Sequence, residues 1–79
     1  MERFRETFAC RGDDGDELQI TQGFDGKEFY TEVGGRRVAI RRDGEWVSLD
    51  PDWEVETSPD YEQTIVSYRG MPPKIGKPS

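Results

Sequence analysis

The chemistry open to this chain is narrowed first by what it lacks. It has no histidine, the side chain most used as a general base and as a metal ligand near neutral pH. Its one cysteine, Cys10, has no partner for an internal disulfide and no imidazole to activate it. Zinc sites built on thiolate or imidazole are excluded for the same reason. No glycine-rich phosphate-binding loop is present. Carboxylates, arginines and aromatics remain, and no spacing among them describes a catalytic constellation. The chain is therefore expected to be no enzyme and to hold no cofactor or metal.

Four groupings deserve a chemical reading. The segment 11–17 packs Asp13, Asp14, Asp16 and Glu17 together. Calcium takes several oxygen ligands, but an EF-hand loop needs acids at alternate positions, then Gly, then a distant Glu. That order is missing, so the segment reads as an acidic hairpin turn. Tyr30, Arg41 and Trp46, with Arg5 and Ser48 nearby, form a candidate surface patch, because aromatics and Arg are enriched at binding hot spots. Arg41 is also expected to stack on Trp46.

Arg36, Arg37, Arg41 and Arg42 cluster around one strand, and small barrels bind single-stranded nucleic acid through such clusters. The net charge of -6 opposes a polyanion. The last grouping is Asp50, Asp52, Glu54, Glu56, Asp60 and Glu62. No Lys or Arg interrupts residues 50–62, and the rest of the chain carries equal numbers of acids and bases. In an extended strand the even positions share one face, while Pro51, Trp53 and Val55 share the other. An anionic stripe of this kind fits a basic protein surface.

These groups must be positioned by strands. Asp13-Asp14-Gly15, Asp25-Gly26, Gly34-Gly35 and Asp43-Gly44 recur at near-regular spacing, and such pairs accept the positive φ of tight hairpin turns. Between them run segments rich in β-branched and aromatic residues. The expected fold is all-β, a five-stranded antiparallel meander at about 3–11, 17–24, 27–33, 36–42 and 45–50. Treating Asp13-Asp14-Gly15 as a three-residue loop and the other turns as two-residue loops aligns one apolar face. It holds Phe4, Phe8, Cys10, Leu18, Ile20, Phe24, Phe29, Val33, Val38, Ile40, Val47 and Leu49. The opposite, solvated face then carries Tyr30, Ala39, Arg41 and Trp46. Glu6 is the exception, because it falls on the apolar face opposite Gln22. A lone carboxylate there must be hydrogen-bonded or protonated, unless the first strand is bulged at that point or its edge is open to water.

Twist curls such a meander into a small open barrel or rolled sheet. Trp53 to Glu56 alternates like a short strand. A further strand or short helix at about 60–69 is expected to close the fold. Ser58-Pro59 resembles a helix start, but Thr64 to Tyr68 is β-branched and aromatic. Residues 1–69 form one small domain, and the Pro- and Gly-rich residues 70–79 read as a flexible tail.

A chain of 79 residues buries only about 60% of its unfolded surface, which leaves little room for an enclosed enzyme site. No apolar run of membrane-spanning length occurs, and the first residues lack the apolar core of a signal peptide. A lone cysteine fits a reducing compartment, so a cytoplasmic location is expected. The reading that follows is a small acidic protein-interaction or regulatory module. Its expected partner is a protein with a basic surface, met through Tyr30, Arg41 and Trp46 or through Asp52, Glu54 and Glu56. The alternatives are a single-strand nucleic-acid binder using Arg36, Arg41 and Trp46, and a structural subunit of a larger assembly. A membrane partner is not expected.

Overall fold

Residues 4–78 of the computed structural model are described here, and they form eight β-strands and no helix. The strands are β1 (Phe4–Arg11), β2 (Glu17–Phe24), β3 (Phe29–Val33), β4 (Arg36–Arg42), β5 (Glu45–Ser48), β6 (Trp53–Thr57), β7 (Thr64–Tyr68) and β8 (Lys74–Gly76). All pairings are antiparallel, in the order β5-β4-β3-β2-β1-β8-β7-β6. The sheet rolls into a nearly closed barrel whose two edges, β5 and β6, face each other.

The meander forms as the turn chemistry requires. β1 and β2 pair from Phe4↔Phe24 to Arg11↔Glu17, and β4 and β5 pair Ile40 with Val47, both in the expected register. Gly34-Gly35 and Asp43-Gly44 each hold positive φ at both positions, 62° and 80° in one turn and 52° and 79° in the other. That geometry matches the twist of the flanking strands.

Two corrections apply to the middle of the meander. The Asp25-Gly26 turn is a four-residue loop, because the Asp25 carboxylate accepts hydrogen bonds from the Lys27 and Glu28 amides at 2.8 and 2.9 Å. The Asp25 amide in turn donates to the Glu28 carbonyl at 3.3 Å. Thr31 therefore opposes Gln22 instead of Ile20, a two-residue move that preserves the face. The second correction changes the face. β3 and β4 pair Glu32 with Arg37 but Thr31 with Ala39, so Val38 is an extra residue on β4. Val38 and Ala39 both bury against Val55.

Beyond this bulge the expected faces are exchanged. Ala39, Ser48, Arg41 and Trp46 follow Thr31 onto the barrel's inner face, while Ile40 and Val47 follow Tyr30 onto the outer one. Val47 and Leu49, expected in the core, are accordingly exposed. Tyr30 and Ala39, expected on a solvated face, are wholly buried.

The C-terminal third is also settled. Thr64 to Tyr68 is a strand, and the helical alternative is wrong. Ser58-Pro59 starts a turn instead: the Tyr61 amide donates to the Ser58 carbonyl at 2.8 Å and the Gln63 amide to Ser58 Oγ at 3.0 Å. The expected tail contains β8, which pairs Ile65 with Ile75 and Arg11 with Ile75. Composition suggested a tail there, but Lys74-Ile75-Gly76 is free of proline and fits a strand. Gly76 lets β8 approach β1 closely. A Cβ there would press on the Ala9 carbonyl oxygen and lie 2.7 Å from Cys10 Sγ.

The core has two clusters. Phe8, Cys10, Ile20 and Val66 form one, and Val38, Ala39 and Val55 the other; Val33 and Trp53 pack against both. Phe4, Phe24 and Phe29 form a separate aromatic group, with centroids 5.8 Å apart for Phe4–Phe29 and 4.8 Å for Phe24–Phe29.

Candidate functional site

The barrel is incomplete at one place. β5 and β6 share no ladder, and side chains bridge them instead. Trp46 Nε1 on β5 donates to Thr57 Oγ1 on β6 at 3.0 Å, and Ser48 Oγ donates to the Trp53 carbonyl at 2.7 Å. Between the two edges runs a groove of about 590 Å³. Its lining includes Arg41, Trp46 and Ser48 from the β4–β5 side and Glu54, Val55 and Glu56 from β6. Local sequence explains both walls. Asp43-Gly44 turns β4 into β5 and aligns Arg41 with Trp46. The alternation of Trp53, Val55 and Thr57 against Glu54 and Glu56 puts the apolar side of β6 inward.

The bulge puts Tyr30 on the other face from Arg41 and Trp46, although all three border the small cavity that Phe4 and Glu6 also line. Tyr30 lies on the outer face, packed over Gly23, where a Cβ would be 2.5 Å from the phenol oxygen. Arg37 covers its ring at 4.1 Å, and Arg5 Nη1 donates to its Oη at 3.2 Å. Arg5 is held by Glu32 at 2.8 Å, which pushes the guanidinium pKa up further. Arg41 and Trp46 stay together at the groove, with the guanidinium 5.9 Å from the indole centroid, so the expected stacking occurs.

The acidic stripe divides as well. Asp50 pairs with Arg36, and Asp52 pairs with Arg69 at 3.3 Å. Asp60 accepts from Ser58 Oγ and the Glu62 amide, and these bonds hold its carboxyl below the usual range. Glu62 lies 3.8 Å from Lys77. Glu54 and Glu56 are the members of the stripe that are exposed and, among the described residues, form no ion pair or side-chain hydrogen bond. The structure thus brings Arg41, Trp46, Glu54 and Glu56 to one groove and places Tyr30 and Asp52 elsewhere.

The arginine cluster is largely engaged. Arg36 holds Asp50, and Arg37 holds Asp25 at 3.0 Å and Glu28 at 3.8 Å. The Glu28 and Lys27 amides, followed by Arg37, push the Asp25 carboxyl down to about 2. Cys10 is fully buried, and burial pushes its thiol up to about 11. Among the described residues no group of three or more Cys, Asp or Glu is placed to hold a metal ion, and no helix is long and apolar enough to cross a membrane. Sequence reasoning placed Ser48 near Arg41 and Trp46 but missed Thr57 and the groove itself. Strand order decides which edges face each other, and no local pattern encodes it.

Comparison with protein families, curated proteins and solved structures finds no match.

Proposed function

We propose that this chain is a binding module, without catalysis, that takes an extended basic segment of another protein along the groove between β5 and β6. One observation carries the reading: the sheet stops at two facing edges and leaves a groove between them. An edge strand presents unpaired backbone N–H and C=O groups, and an added strand satisfies them. Glu54 and Glu56 favour Lys or Arg on the incoming strand, and Trp46 and Val55 offer it apolar contact. The buried, thiol-form Cys10 supports binding rather than covalent chemistry.

The test uses a short peptide alternating lysine and valine, with a glutamate-valine peptide as control. The basic peptide should bind and slow amide exchange along β6. Glu54→Gln with Glu56→Gln should weaken it about tenfold at low salt, since exposed pairs contribute a few tenths to about 1 kcal/mol each. Unchanged exchange on β6, or equal binding of the two peptides, would refute the reading.

A further inference from the structure

A second cavity adjoins the groove at the barrel mouth and shares Arg41, Trp46, Thr57 and Tyr61 with it. It measures about 180 Å³, and Phe4, Glu6, Gln22, Phe29, Trp46 and Tyr61 line it. Glu6 was the anomaly of the sequence, a carboxylate on the inner face. The structure shows that β1 is unbulged there. Glu6 opposes Gln22 in regular register, half-buried, and faces the cavity. Gln22 is already engaged: its Nε2 donates to Thr31 Oγ1 at 3.1 Å, and Thr64 Oγ1 donates to its Oε1 at 3.2 Å.

The charges around the cavity can be accounted for one by one. Arg41 also lines it, but its guanidinium stacks on Trp46 and donates to the Gly44 carbonyl at 3.4 Å. Glu62 lines it too and has Lys77. Glu6 forms no ion pair or side-chain hydrogen bond among the described residues. Glu6 is therefore, among the described residues, the lining carboxylate without an ion pair, and Phe4, Phe29, Trp46 and Tyr61 bring aromatic rings to the same cavity, with the Arg41 cation turned onto Trp46. Phe4, Phe29 and Tyr61 are all exposed, with ring surface that no side chain of the fold covers fully. A ring face attracts a cation, and aromatic walls around a carboxylate are the arrangement that recognises organic ammonium groups.

We infer that the barrel mouth is a seat for an alkylammonium group, held by Glu6 and the surrounding aromatic rings. Its volume suits a chain about as long as a lysine side chain. The same chemistry arises from a free amine or from a lysine of a bound protein segment. The seat does not depend on the β5–β6 groove being a docking site.

The probe is n-butylammonium chloride, followed by NMR on the full chain, with sodium chloride matched for ionic strength. Binding of a ligand this small should be on the order of millimolar. Shifts should concentrate at Phe4, Glu6 and Phe29, which line the seat and not the groove, and Glu6→Gln should weaken binding about tenfold, the loss of one charge-assisted contact. The neutral analogue n-butanol should bind the wild-type chain far more weakly, a comparison that stands however Glu6→Gln folds. Equal binding of n-butanol, or binding unchanged in Glu6→Gln, would overturn the inference.

The source is separated by the lysine-valine peptide and its norleucine counterpart. Glu6-dependent preference for the lysine peptide, tighter than n-butylammonium, assigns the seat to a protein's lysine. Tight n-butylammonium with no such preference assigns it to a free amine. Peptide protection of β6 that ignores both Glu6 and the lysine would leave the groove reading standing and sink the seat as a lysine site.

Discussion

Replacing Gly76 by alanine tests the least expected strand of the fold. The added methyl would meet the Ala9 carbonyl oxygen and sit 2.7 Å from Cys10 Sγ. Both belong to β1, which is fixed by eight pairs with β2. β8 has only Arg11↔Ile75 on the β1 side, so β8 is the element that moves. Forcing a methyl group into a packed site costs about 1–3 kcal/mol, and rigid backbone neighbours place this case at the upper end. For a chain this small the urea slope is about 1 kcal/mol per molar, so the midpoint should fall by about 3 M.

A second readout is specific to β8. Cys10 is fully buried and its thiol is pushed up to about 11 from an ordinary 9.0. Two pKa units mean about a hundredfold less thiolate at neutral pH, before any steric protection. Displacing β8 uncovers the sulfur, so labelling by a disulfide reagent in native buffer should accelerate by about that factor or more. An unchanged midpoint together with unchanged labelling would show that residue 76 does not touch β1, and the strand assignment would fail.

Other substitutions probe the remaining joints. Trp46→Phe removes the indole N–H bridge to Thr57 across the open seam. It should cost about 0.5–1.5 kcal/mol by urea unfolding, and no change would mean the bridge is not formed in solution. Asp25 is held near 2 by the Glu28 and Lys27 amides and by Arg37, below its ordinary 3.8. A depressed carboxyl stabilises the fold above its unfolded pKa and loses that contribution as pH falls from about 4 to about 2. Asp25→Asn should therefore lower Tm at pH 7 and converge with wild type near pH 2; a gap independent of pH would contradict the assignment. Cys10 has the opposite sign. Its raised pKa gives stability that is intact below about 9 and lost as pH rises toward about 11, so Cys10→Ala should flatten the alkaline decline of Tm.

The sequence made the turns legible, and the turns made the meander legible. Asp13-Asp14-Gly15 and Asp43-Gly44 fixed their registers correctly because each admits few backbone geometries, and Gly34-Gly35 did so only for the two pairs next to the turn. Asp25-Gly26 misled because the Asp25 side chain bonds the next two amides and lengthens the loop. The bulge at Val38 was invisible, since Val38, Ala39 and Ile40 are all apolar and fit either parity. That one residue decided the candidate site: it took Arg41 and Trp46 inward and left Tyr30 outside. The acidic segment was legible as composition. Which acids stay without an ion pair was not, because Arg36 and Arg69 approach from distant strands.

Apart from β1 with β8, strands β1 to β5 pair with their neighbours along the chain, and so do β6, β7 and β8. One ladder pair, Arg11 with Ile75, unites the two blocks through the backbone, and side-chain packing and the Trp46–Thr57, Ser48–Trp53 and Gln22–Thr64 hydrogen bonds complete the join. Hairpins close within about 1–10 μs, whereas distant strands meet only after a long loop has been ordered. Folding should therefore run in two stages, with the blocks forming separately and their docking limiting the rate. Until that docking, Cys10 and one side of β1 stand open to solvent and to other chains. Crowding during refolding should then favour exchange of the β6–β8 block between molecules, which makes a swapped dimer the expected by-product of concentrated refolding.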